Sequence, residues 1–243
     1  MLRKMQPFRF KQFAIHQDRC AMKIGTDGVL LGAWADVEGA RHALDIGTGS
    51  GVIAIMLGQR APQMLVHGVE IDVMAYEQAA DNMRAAPWAS RMQVFHAAIQ
   101  DYAAAPSVEN YDLIVSNPPF FTGGVFSYNQ ERNSVRHTVK LPHSDLLGAV
   151  RNLLSDQGRF CLVLPYIEGL RFQELAGSYH IYCTRLTEVH TKAGKPVERL
   201  LMQFEKNKKT PERDKLVIQI GDNNEWTEEY RRLTGEFYLG VTR

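Results

Sequence analysis

Apolar positions gather in short runs along this chain, and from residue 41 the runs alternate with stretches of helical spacing. The β-type runs are HALDIG (42–47), MLVHGVEI (64–71), MQVFHAAI (92–99), YDLIVSN (111–117) and GRFCLVLP (158–165). They are apolar almost throughout, as strands covered on both faces are. Residues 51–60, 73–85 and 144–154 lie between them and read as helices. This alternation predicts right-handed βαβ crossovers and an α/β fold with a doubly wound, mostly parallel sheet. The last third changes character. Runs at 179–191 and 198–206 are joined through KAGKP without a helical stretch, which predicts an antiparallel pair at one edge of the sheet. Residues 215–220 read as a further short strand and 224–238 as a C-terminal helix. One domain over 1–243 is expected, with 1–22 as a basic N-terminal arm.

Composition narrows the class without naming a partner. Hydrophobic residues make up 45% and charged residues 23%, and the net charge is +1, so a nucleic-acid footprint must come from local clustering. Cys20, Cys161 and Cys183 show no metal-ligand spacing, and reduced thiols without a bound metal are expected. The N-terminal residues lack the apolar core of a secretory signal, and no apolar segment approaches the ~20 residues of a membrane span. A soluble, cytoplasmic protein is expected, acting as a monomer.

Chemistry enters with ALDIGTGSGVIAI. Asp45, Gly47, Gly49 and Gly51 stand between a strand and a helix, where glycines let a ligand approach the backbone and the helix N-terminus offers free N–H groups. The spacing is G-x-G-x-G, not the G-x-G-x-x-G of dinucleotide loops. Asp45 at the mouth of this loop would suit a neutral or cationic ligand. Glu70 ends the second strand, placed to accept the ribose hydroxyls of an adenosine, and Asp101 follows the third, where it could accept from an adenine amine. The glycine loop alone could be a plain tight turn, and Glu70 or Asp101 alone a solvated strand end. Three at successive strand ends in one βαβαβ unit point to a nucleoside ligand at the carboxyl edge of the sheet.

The fourth strand ends abruptly in Asn117-Pro118-Pro119-Phe120-Phe121. Two prolines stop a strand, having no N–H to donate, but they explain neither Asn117 nor Phe120. With S-adenosylmethionine on the glycine loop, the corner acquires a purpose. A conjugated exocyclic amine is a poor nucleophile because its lone pair is delocalised. Two acceptors, the Asn117 side-chain carbonyl and the Pro118 main-chain carbonyl, would pull it toward tetrahedral geometry, and Phe120 would stack on a flipped-out base. The sulfonium is already activated, so alignment suffices and no strong general base is required.

Asp45–Gly51, Glu70 and Asn117–Phe120 resemble the cofactor and catalytic motifs of class I S-adenosylmethionine-dependent methyltransferases of the amino-methylating group. MKIGTDGVLLGAW, NPPFF, RHTVKLPHSDLL and GKPVERLLMQF together resemble the bacterial tRNA methyltransferases that modify the adenine beside the anticodon of valine tRNA. That resemblance covers nearly the whole chain. It implies a seven-stranded sheet with its last strands antiparallel, and it sets Lys23, Gly25 and Thr26 over the methionine end of the cofactor. Read alone, KIGTDG is a glycine-bearing turn with a cap-like Thr or Asp before a short helix.

For the RNA itself, Arg9 and Lys11 lie in an arm that also carries Arg3, Lys4, Arg19 and Lys23, with Phe8, Phe10 and Phe13 interleaved. Basic residues with aromatics suit phosphate contact and base stacking, but also a solvated start whose phenylalanines join the core. Pro119, Phe121 and Arg136 are further candidates for substrate contact, and the long loop 121–138 reads as a gate hinged at Gly123-Gly124. Arg132 could touch RNA there, while His137 suits a structural role. A second basic cluster (Lys206, Lys208, Lys209, Arg213, Lys215) is diluted by Glu205, Glu212 and Asp214 and reads as a solvated surface. Guanine N2 of ribosomal RNA, a protein glutamine amide, or a non-catalytic binding module that kept the fold remain alternatives.

Overall fold

The apolar runs become strands close to where the pattern places them. The structure, a computed structural model, describes residues 6–106, 110–119, 141–221 and 225–240. A small antiparallel ribbon, β1 (Phe8–Arg9) and β2 (Ala14–Ile15), precedes helix α1 (Thr26–Trp34). Then β3 (His42–Ile46), α2 (Val52–Arg60), β4 (Leu65–Glu70), α3 (Val73–Ala85) and β5 (Met92–His96) form a βαβαβ unit. Next come α4 (Ile99–Ala104), β6 (Tyr111–Ser116), α5 (His143–Leu153), β7 (Leu154–Pro165) and α6 (Tyr166–Ser178). The chain finishes with β8 (Tyr182–Lys192), β9 (Arg199–Glu205), β10 (Glu212–Ile220), β11 (Glu225–Trp226) and α7 (Glu228–Thr234).

The main sheet runs β11-β10-β8-β9-β7-β6-β3-β4-β5. Seven of these strands, β5 through β8 in that order, are the sheet the resemblance implies; β10 and β11 extend it. Strand β9 is antiparallel to both β7 and β8, whereas β10 runs parallel to β8. The expected antiparallel pair therefore lies inside the sheet, covered by β10 rather than forming the edge. Side chains alternate between two cores, as the pleat requires. Ala43, Leu113, Val115, Cys161 and Val163 face α1, α2 and α7, while Leu44, Ile114, Leu162 and Leu164 face α5 and α6.

Three elements differ from the sequence pattern for identifiable reasons. Helix α6 gives no apolar stripe because two of its three buried positions are the small Gly169 and Ala176, beside Phe172. The third run stops as a strand at His96, after which residues 99–104 turn into α4. The 224–238 stretch divides, because Thr227 caps α7 by accepting from Tyr230 N (3.1 Å) and leaves Glu225–Trp226 to pair with β10.

Topology fixes where a site can form. Strands β3, β4, β6, β8 and β10 all point the same way, so their carboxyl ends share one edge. Lys206, Lys208 and Lys209 follow antiparallel β9 and thus leave at the opposite edge, where Lys206 pairs with Asp156 (3.4 Å) and Lys209 with Glu205 (2.5 Å). Arg213 and Lys215, early in β10, are exposed at that edge too, so the second basic cluster lies away from Asn117.

Candidate active site

The loop between β3 and α2 takes three left-handed turns of backbone. Gly47, Gly49 and Gly51 have φ of 69°, 57° and 83°, a region L side chains enter only with strain. Above Gly47 the space is open, since a Cβ there would meet nothing within 4 Å. Below Gly51 it is closed: a Cβ would sit 3.5 Å from Ala79 Cα. The loop thus turns a bare backbone outward and packs its base on α3.

Glu70 fastens this loop. Its Oε2 accepts from Gly49 N, and its Oε1 accepts from Ile71 N and Asp72 N, all at 2.9 Å. Three of roughly four acceptor positions are in use, which leaves one for a ligand hydroxyl.

Asp45 is not at the mouth of the loop as expected from its position. It is fully buried beneath it, with Oδ2 accepting from Thr48 Oγ1 (2.6 Å) and Ala54 N (3.2 Å). The strand carries Asp45 into the interior one residue before the chain turns out. Its Oδ1 is buried without a partner. Burial pushes the carboxyl up to about 7, against the lowering effect of Thr48 and Ala54. An unfolded aspartate titrates near 3.9, so between about pH 4 and 7 the folded chain holds a proton that the unfolded chain has lost. Wild-type stability relative to Asp45→Asn therefore falls as pH rises through that window, by up to ~4 kcal/mol, and is level above it. Urea unfolding of both proteins at about pH 5 and about pH 7.5 checks this; a pH-independent difference contradicts it.

Asn117 follows β6 directly, beside the glycine loop, where Ser116 Oγ donates to Ile46 O (2.9 Å) and ties the tips of β6 and β3 together. The Asn117 Oδ1 is buried with no hydrogen-bond partner. A lone buried carbonyl costs roughly 1–3 kcal/mol, and this one stands beside the glycine loop, where a donor on a ligand could satisfy it. Pro118 is buried and Pro119 half-buried, holding the corner. On the other side stands α1: a Cβ on Gly28 would lie 3.8 Å from Asn117 Nδ2, so the helix approaches the amide closely.

Segment 16–24 walls the site through contacts the sequence reading missed. Asn82 accepts from His16 N (3.0 Å) and donates to His16 O (2.7 Å) and Ser50 O (2.8 Å), joining arm, glycine loop and α3. Gln78 accepts from Arg19 N (3.3 Å). Both are buried amides one turn apart on the face α3 turns inward, a legible signal of polar residues at core positions. Lys23 Nζ donates to Gln17 O (2.6 Å) and Cys20 O (2.9 Å), so it pins its own loop. Gly25 and Thr26 are exposed beside it; Gly25 takes the cap position of α1 with no side-chain bond, in place of the expected Thr or Asp cap. Asp101 is exposed, in the first turn of α4 rather than at the strand tip.

The arm divides by residue. Phe10 and Phe13 are buried in the core, stacked at 4.6 Å, and Lys11 donates to Gly235 O just past α7 (2.5 Å), so these three hold the fold. Arg19 pairs with Glu77 and Asp81. Arg9 is exposed. Phe120, Phe121, Arg132, Arg136, His137 and the expected gate at 121–138 lie outside the described residues.

These features fit S-adenosylmethionine: open backbone over the glycines, an acid at the β4 tip, a buried carboxylate below, and an orphaned acceptor where a nucleophile would stand. Among the described residues no cluster of metal-ligating side chains occurs, and no helix is long and apolar enough to cross a membrane. The profile of the methyltransferase small domain family matches residues 23–164. Curated proteins named tRNA1(Val) (adenine(37)-N6)-methyltransferase are similar from end to end. The one from Histophilus somni is 43% identical over 97% of this chain and 98% of its own; that from Mannheimia succiniciproducens is 44% identical, over 97% and 96%. The Bacteroides thetaiotaomicron protein is 42% identical over 96% and 97%. Among solved structures, a protein from Agrobacterium tumefaciens described as a predicted O-methyltransferase superposes with a TM-score of 0.68 at 17% identity, covering 87% of this chain and 96% of that one. A 16S rRNA guanine N2 methyltransferase from T. thermophilus gives 0.57 at 21%, covering 83% and 50%. Matched over more than half its length by that profile, and nearly throughout by relatives 42–44% identical, the chain belongs to the tRNA1(Val) (adenine(37)-N6)-methyltransferase family.

Proposed function

We propose that the chain transfers a methyl group from S-adenosylmethionine to the exocyclic N6 of adenine 37, beside the anticodon of valine tRNA. The observation that carries the reading is the buried, partnerless Oδ1 of Asn117 at the tip of β6. S-adenosylmethionine, when bound, supplies an electrophilic methyl group on a positively charged sulfur. Gly47 and Gly49 let it approach the loop backbone, and Glu70 accepts a ribose hydroxyl at its remaining acceptor position. Asp101 is kept for the adenine amine, and Gly25 and Thr26 border the methionine end. Asn117 Oδ1 and the Pro118 carbonyl each accept one N6–H, which localises the lone pair and aims it at the methyl carbon. Those hydrogen bonds tighten as the nitrogen becomes cationic, so they favour the transition state over the ground state. Phe120, as the resemblance implies, supplies the stacking face; Pro119, Phe121, Arg9 and Arg136 are kept for the RNA, and Lys11 for the fold. The protein acts as a cytoplasmic monomer.

Among acceptors, adenine N6 is favoured over guanine N2 and a glutamine amide by the names of the full-length relatives. A non-catalytic module has no use for an orphaned acceptor in a rigid corner. Incubation with total tRNA and methyl-labelled cofactor, followed by nucleoside mass spectrometry, tests the reading. N6-methyladenosine confined to valine tRNA is expected; methylguanosine, or no labelled nucleoside, overturns it.

A further inference from the structure

A second feature shares the carboxyl edge with Asn117. A cavity of about 440 Å³ is lined by Phe8, Ile218, Trp226, Tyr230 and Tyr238. A neighbouring one of about 290 Å³ is lined by Leu30, Asp27, Glu198 and Arg199. Both include Gly25, Thr26, Thr191 and Ile218, so they form one groove running past the start of α1. Helical geometry sets this groove against the Asn117 corner. Thr26 and Leu30 are about 40° apart around α1, while Gly28, which abuts Asn117, is about 200° from Thr26. The first turn of α1 therefore stands between the corner and the groove. Thr191 and Ile218 sit near the carboxyl ends of β8 and β10, which run parallel to β6, so both openings face the same side of the molecule.

The lining is chemically specific. Trp226 lies 5.2 Å from Tyr238 and 5.3 Å from Tyr230, and Phe8 lies 6.4 Å from Tyr238, ring centre to ring centre. Phe8, Trp226 and Tyr238 are only half-buried, so they present ring surface to the groove. Lys192, the last residue of β8, and Lys195 in the turn that follows lie at this edge just outside the cavity linings, neither side chain having a partner among the described residues. Arg9 follows Phe8 and is exposed. Half-exposed aromatic rings, with cations that lack a partner among the described residues at the same edge as the Asn117 corner, match a single-stranded nucleic acid, whose bases stack while its phosphates meet lysine. A small anion would have no use for the rings.

We infer that this groove is a subsite for the nucleotides flanking the target adenine, stacking unpaired bases of the anticodon loop on Phe8 and Trp226 with Lys192 and Lys195 on their phosphates. The inference rests on the RNA-methylation reading above. The splayed loop would pass over Gly25 and Thr26, its target base on one side of α1 and its neighbours on the other. An adenine in a stacked duplex could not reach both, so the groove selects single-stranded targets.

Trp226 provides the readout. The chain has three tryptophans; Trp34 is buried on Thr187, and Trp88 packs against Gly58 at the far end of α2. A short single-stranded RNA bearing the adenine and its flanking nucleotides should quench tryptophan fluorescence in the wild type and in the Asn117→Ala protein. Trp226→Phe, which keeps a ring in the core, should lose the quench. Lys192→Ala with Lys195→Ala should raise the KM for tRNA about tenfold near physiological salt and reduce the salt slope of binding by about 1.4. Methyl transfer to tRNA by the wild type is measured in parallel. Transfer without quenching, or with KM and slope unchanged in the lysine variant, overturns the groove and leaves the methylation reading standing. No transfer at all overturns both. A Trp226 signal that follows protein concentration and not RNA gives the groove to a second copy of the chain, and also overturns the inference.

Discussion

Asn117→Ala lowers the turnover of tRNA methylation by about 10²–10³-fold while the Kd for S-adenosylmethionine stays within about twofold. The size follows from losing one of two preorganised acceptors at the point where charge develops on nitrogen. The selectivity follows from position, since Glu70 and the glycines, not Asn117, carry the contacts assigned to the adenosine. Stability provides an independent check. Oδ1 has no internal partner to lose, so removing it relieves a desolvated carbonyl and breaks no hydrogen bond at that atom. The melting temperature should hold or rise. Steady-state kinetics, calorimetry and thermal unfolding on one preparation measure all three. An active variant, or one whose activity loss tracks unfolding, removes Asn117 from catalysis.

Glu70→Ala acts on two quantities together. The carboxylate accepts from Gly49 N, Ile71 N and Asp72 N, so its loss strands three N–H groups around the loop and should lower stability by roughly 2–4 kcal/mol. It also removes the acceptor for a ribose hydroxyl, and cofactor affinity should weaken by about 10–100-fold. Glu70→Gln separates the two effects. It keeps one oxygen for Ile71 N and Asp72 N, so much of the fold stability returns while the cofactor affinity stays weak. Should Glu70→Gln bind the cofactor as tightly as wild type, the acid only braces the loop.

What could be read from the sequence had strong local causes. The central strands are buried on both faces, so Leu113, Ile114 and Val115 announce themselves whichever way they point. The glycine loop demands a backbone that other residues adopt with strain, and the Asn-Pro-Pro corner breaks a strand with groups a loop does not need. Where tertiary contact decides, the pattern was silent or ambiguous. Helix α6 packs through small residues that leave no stripe. Lys11 looked like a phosphate ligand because its charge was visible and the Gly235 carbonyl it meets, far along the chain, was not. Asp45 looked like the mouth of the loop because the glycines begin two residues after it, yet β3 carries it into the interior first. Glu70 was placed correctly at a strand tip, but the three N–H groups that occupy it appear only once the loop is folded. Asn82 and Gln78 carried a usable clue in being amides on the inward face of α3.

A crystal structure of the protein with S-adenosylhomocysteine and the anticodon stem-loop of valine tRNA tests the central claim most directly. It should show the N6 amine of adenine 37 within about 3 Å of both the Asn117 Oδ1 and the Pro118 carbonyl, with the cofactor sulfur in line behind the nitrogen. A target adenine that enters the pocket with its N6 turned away from these two oxygens would contradict the account.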